Sequence, residues 1–119
     1  MNLLEVLNSN LEKNATETFF SLGGIHDAIV EDIKIDFLSS TIWVKMNDLY
    51  ANFLNLPEYQ NLKAVYLNIS QFQNLEINVD LIDNDISIYQ IEVENEHLEV
   101  LFSPSGFMKL KFEKLSFSQ

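Results

Sequence analysis

Residues 89–112 read Tyr89-Gln90-Ile91-Glu92-Val93-Glu94-Asn95-Glu96-His97-Leu98-Glu99-Val100-Leu101-Phe102-Ser103-Pro104-Ser105-Gly106-Phe107-Met108-Lys109-Leu110-Lys111-Phe112. Tyr89, Ile91 and Val93 alternate with Gln90, Glu92 and Glu94. Such alternation puts successive side chains on opposite faces of a strand, one for the core and one for water. Asn95-Glu96-His97 turns the chain, Leu98, Val100 and Phe102 alternate again, and Ser103-Pro104-Ser105-Gly106 turns it back. Met108, Leu110 and Phe112 then complete a three-stranded meander. Facing residues of an antiparallel pair share a side of the sheet. A register with Phe102 opposite Met108 and Val100 opposite Leu110 sets Glu99 opposite Lys111, a favourable cross-strand pair. Beyond Phe112 the apolar positions shift to Leu115 and Phe117, which predicts a bulge or bend near Glu113-Lys114.

The same period runs upstream. Ile33, Ile35 and Phe37, then Ile42, Val44 and Met46 after Ser39-Ser40, predict a hairpin. Val65, Leu67 and Ile69 predict another strand, Leu75, Ile77, Val79 and Leu81 a further one, and Asp83-Asn84-Asp85 a tight turn. At the start, Leu3, Leu4, Leu7 and Leu11 recur at helical spacing and predict an amphipathic helix over residues 2–13, weakened by Asn8, Ser9 and Asn10. Asn14 to Gly24 reads as a connection holding Phe19-Phe20, with a sharp turn at Gly23-Gly24. Asp48 to Leu56 predicts one or two helical turns ended by Pro57. The expected fold is mainly β: an antiparallel β-sandwich or strongly curved sheet of six to seven strands, with an N-terminal helix and one short central helix, in a single domain over residues 1–119.

Composition narrows the function classes. Apolar residues make up 47% of the 119, enough to offset the entropy of ordering the chain. The apolar runs are too short to cross a bilayer, and the Met-Asn-Leu-Leu-Glu start has no basic region of a secretory signal, so a cytoplasmic location is expected. With no Cys there is no disulfide, thiolate chemistry or zinc–cysteine site. Eighteen acidic residues against seven Lys and no Arg leave a net charge of −11. Phosphate recognition needs clustered cations, so no nucleic-acid partner is expected, and the short apolar runs give no reason to expect a membrane partner. Such charge keeps a protein soluble, and it also suits a basic protein partner.

The chemistry-bearing residues are few. His26-Asp27 could supply a metal ligand or an oriented base, but neighbours on an extended strand point to opposite faces, and a turn with Asp27 accepting local hydrogen bonds explains the pair as well. Asp80, Asp83 and Asp85 are the best hard-cation candidates, yet no glycine and no suitably spaced Glu completes a calcium loop, and a solvated turn explains them too. Glu92, Glu94, Glu96 and Glu99 surround one hairpin and form an acidic patch partly balanced by Lys109 and Lys111, read either as the wet face of the strand or as a partner-binding face. Trp43, Tyr50, Phe53 and Tyr59 crowd one region and either anchor an interface or cap the core. No glycine-rich phosphate loop or nucleophile motif is present, so no catalytic residue, cofactor or resident metal is assigned.

Gly24-Ile25-His26-Asp27-Ala28 followed by Ile33, together with Leu101-Phe102-Ser103-Pro104-Ser105-Gly106-Phe107, resembles a pattern in small bacterial β-rich proteins. In these a His-Asp doublet opens the first strand, and some are considered immunity proteins that neutralise toxins. The resemblance implies a bacterial, cytosolic, non-enzymatic protein acting by protein–protein contact, with an acidic surface suited to a basic toxin such as a nuclease. The expectation is therefore a protein-binding domain, immunity-like in action. The alternative is a small-molecule- or metal-ion-binding β domain, with a site at the mouth of two sheets or at Asp80, Asp83 and Asp85. An enzyme would need a cleft where His26 or His97 meets a carboxylate. A homodimer through a strand edge or the aromatic cluster stays open.

Overall fold

The computed structural model describes residues 3–47, 64–79 and 86–119. The expected central helix falls on residues 48–56, and with Tyr50, Phe53, Tyr59, Asp80, Asp83 and Asp85 it lies outside the described residues. Among the described residues two helices, α1 (Leu3–Lys13) and α2 (Ala15–Ser21), precede eight strands. These are β1 (Ile29–Asp36), β2 (Thr41–Asn47), β3 (Ala64–Ser70), β4 (Gln73–Asn78), β5 (Ser87–Glu94), β6 (His97–Ser103), β7 (Phe107–Lys111) and β8 (Lys114–Ser118). No described helix is long and apolar enough to cross a membrane.

All eight strands join one antiparallel sheet in the order β4-β7-β6-β5-β1-β2-β3-β8, where six or seven in a sandwich or curved sheet were expected. That order forces curvature. β3 and β4 lie six places apart, about 29 Å across a flat sheet at about 4.8 Å per strand. Only Gln71 and Phe72 connect them, and three residue steps reach about 11 Å at most. The sheet therefore curls until the end of β3 comes beside the start of β4, without closing. Ser70 faces Lys114 in the β3–β8 pair and Gln73 faces Lys111 in the β4–β7 pair, so the register carries across the break. Glu113 N–H donates to Ser70 O at 3.1 Å between them. The bend expected near Glu113 thus separates two strands.

The concave side holds the core. Ile42, Val44 and Met46 face Ile69, Leu67 and Val65, and Ile91, Val93, Leu98, Val100, Met108 and Leu110 line the other half, all nearly solvent-free. Helix α1 buries Leu7 and Leu11 in this core and packs on β8. Asn8, a poor helix former, has a reason to be there. Its side-chain amide donates to Phe117 O at 3.0 Å and its carbonyl accepts from Phe117 N–H at 2.6 Å, pairing the main chain of an edge strand.

Residues 14–24 are more than a connection, because α2 occupies most of them. Asn14 is extended and its side chain accepts from Glu17 N–H at 3.0 Å, the N-cap contact that starts a helix. Thr18 O–H donates to Asn14 O at 2.8 Å. Phe19 turns inward and stacks obliquely on Phe117 at 6.0 Å, while Phe20 points outward, 85% exposed. The helix stops at Gly23-Gly24, both at positive φ near +70°.

Several side chains lie elsewhere than alternation predicted. Phe37 sits in the β1–β2 turn, 72% exposed, with its ring edge-on to Phe72 at 5.9 Å. Ile77 on the end strand β4 is half out of the core. A bulge between Ile88 and Gln90 buries Ile88 and pushes Tyr89 outward. The β6–β7 hairpin pairs Val100 with Met108 and Leu98 with Leu110, two residues from the expected register. Phe102 N–H donates to Gly106 O and closes the turn tighter, so Glu99 faces Lys109 instead of Lys111. A two-residue slip keeps each side chain on its face, so the core residues are as expected.

Candidate partner-binding surface

The convex face of β5, β6, β7 and β4 gathers charge in two transverse rows set by the ladders. One row runs Glu92, Glu99, Lys109, Glu76, and the next runs Glu94, His97, Lys111, Gln73. Between and around these side chains lies an open depression of about 310 Å³. Among its described lining residues four are Glu and two are Lys, a balance of −2. Both lysines are engaged within the face. Lys109 lies 3.4 Å from a Glu99 carboxylate oxygen and Lys111 lies 3.8 Å from one of Glu96, which the tight turn at Asn95 (φ +57°) brings alongside. Among the described residues neither Glu76 nor Glu94 has a cationic partner.

Glu92 and Glu99 stand directly opposite each other on β5 and β6. Like charges at facing positions of an antiparallel pair destabilise it. Glu92 accepts a hydrogen bond from the Gln90 side-chain amide at 2.7 Å, which orients its carboxylate without neutralising it. The four predicted glutamates, Glu92, Glu94, Glu96 and Glu99, are thus brought together. Glu76 joins them only because β4 pairs with β7, a neighbour relation that alternation alone does not reveal.

Other candidates stand apart. Trp43, half-buried on β2, faces Lys34 and Asn68 in the other half of the sheet. His26 and Asp27 do not open β1. They occupy the turn before it, where Asp27 takes φ +72° and its N–H donates to Ile88 O at 2.8 Å. Because the chain is not extended there, the two side chains do meet, with His26 Nδ1 2.9 Å from Asp27 Oδ2 and the imidazole 5.9 Å from the Tyr89 ring. Both are more than half exposed, and among the described residues no third ligating side chain completes a metal site with them. Sequence reasoning missed Phe20, whose exposure depends on how α2 docks.

No protein-family model matches the chain, and no curated protein matches it. Among solved structures, an uncharacterized protein from Neisseria gonorrhoeae is similar at 15% sequence identity and a TM-score of 0.45, over 79% of this chain and 92% of that one.

Proposed function

We propose that this chain is a protein-binding domain whose acidic convex face receives a basic partner without catalysing a reaction. The observation that carries the reading is the Glu92–Glu99–Lys109–Glu76 row, where carboxylates outnumber cations and two of them face each other at a cost to the sheet. A basic group placed over Glu92 and Glu99 would relieve that repulsion, so the free protein is electrostatically prepared for a cation. An immunity-like role, neutralising a basic toxin in the cytoplasm, is the form of this function that the sequence resemblance favours.

The test is the association rate with a captured basic partner as salt is raised. Attraction between opposite charges speeds encounter and is screened by salt, so the rate should fall steeply. It should also fall in a Glu76→Gln, Glu92→Gln, Glu94→Gln variant. A rate unaffected by salt and by these substitutions would remove the acidic face from the account.

A further inference from the structure

We propose that a groove between α2 and β5 holds an apolar anchor side chain of the partner, taken from a segment whose flanking lysines or arginines lie over Glu92 and Glu94. This rests on the reading of the acidic face as a partner surface and adds where the partner is gripped. The groove encloses about 580 Å³ and is walled by Thr16 and Phe20 of α2 and by Gln90–Glu94 of β5, with Gly23-Gly24 at its end.

It exists because β1 and β5 part company. Among the described residues they pair at Ile29 and Ser87, and toward the end of β5 the last main-chain bonds between the two sides are those of Ile88 with Ala28 and Asp27. Beyond Ile88 the neighbour of β5 is the end of α2 and the glycine turn. Gly24 shields the edge at Ile91: at φ +69° a side chain there would be strained, and a Cβ would lie 3.2 Å from Ile91 N and 3.3 Å from Ile91 O, tight enough to press on the strand. This close approach caps the edge against strand addition and leaves a space suited to a side chain.

Two features select the occupant. Phe20, 85% exposed beside the groove, offers an aromatic surface of the kind that anchors interfaces. Among the described residues, the charged ones lining the groove are Glu92 and Glu94, with no cation beside them, and both also line the acidic depression on the convex face. An apolar side chain in the groove therefore places its chain neighbours against carboxylates, which calls for basic residues there.

The probes are short fluorescent peptides with two lysines on each side of a central Leu, Phe or Trp, and the same peptide with a central Ala. Binding is read by anisotropy in low salt. At least one apolar-centred peptide should bind about tenfold tighter than the Ala peptide, the effect of burying one large side chain. Phe20→Ala and Thr16→Trp, both at exposed positions of α2, should reduce that peptide to the Ala level, and Glu92→Gln with Glu94→Gln should weaken all of them. If all peptides bind alike and only the Glu variants matter, the groove is overturned while the acidic face stands. If none binds, both readings fall.

Discussion

Replacing Glu92 with Gln should make the domain more stable. Glu92 faces Glu99 across a strand spacing of about 5 Å, lies about 7 Å from Glu94 along its strand, and about 10 Å from Lys109 two strands away. In the dielectric of water these separations give about 0.8 and about 0.6 kcal/mol of repulsion and about 0.4 kcal/mol of attraction. With a screening length of about 10 Å in 0.1 M salt, the net repulsion is about 0.6 kcal/mol, within the range for facing strand pairs. Gln keeps the shape and the acceptor for Gln90, so the substitution removes little else. Thermal unfolding in about 0.1 M salt should shift upward by about 2–4 °C. In about 1 M salt, where screening shortens to about 3 Å, most of the gain should vanish. A Glu92→Gln protein that melts lower than the parent, or whose gain is the same at both salt concentrations, would refute the claim that this face is electrostatically frustrated.

Asn8→Ala should lower the urea midpoint by the equivalent of about 1–3 kcal/mol, because both main-chain groups of Phe117 lose their partner at a half-buried position. Gly106→Ala should cost a further about 1–3 kcal/mol in the same assay, since the residue sits at φ +116° and a Cβ would lie 2.6 Å from Asn78 O. Asp36 is held below the usual carboxylate range by the Ser39 hydroxyl and by the backbone N–H groups of Ser39 and Leu38. Its contribution to stability is therefore present above its unfolded value near 3.8 and lost as pH falls through the lower folded value. In Ser39→Ala, a carboxyl-detected NMR titration should find the Asp36 midpoint raised toward 3.8, and an unchanged midpoint would remove Ser39 from the cause.

How much of this was legible differs residue by residue. Alternation at Leu98, Val100, Met108 and Leu110 identified the inner face, because burial acts on every second side chain. It left the register open, since Glu99 finds a cation at either Lys109 or Lys111 and a two-residue slip costs no face. Tyr89 misled because a bulge moves one residue out of step, and a large aromatic with its hydroxyl in water fits outside as well as inside. Helix α2 had a visible signal in Asn14-Ala15-Thr16-Glu17, the spacing of a capping pair, which the short length of the segment obscured. The acidic patch was legible from alternating Glu on one hairpin. Its fifth member, Glu76, depends on β4 reaching β7 around the curled sheet, and tertiary neighbours of that kind leave no local trace.

The most direct test of the central claim is capture from the source cell's lysate, with immobilised wild-type protein compared against the Glu76→Gln, Glu92→Gln, Glu94→Gln variant at low and high salt, and the bound proteins identified by mass spectrometry. One basic protein should be held by the wild type at low salt, released at high salt and not held by the variant. A basic protein held equally by the variant, or no basic protein held at all, would contradict it.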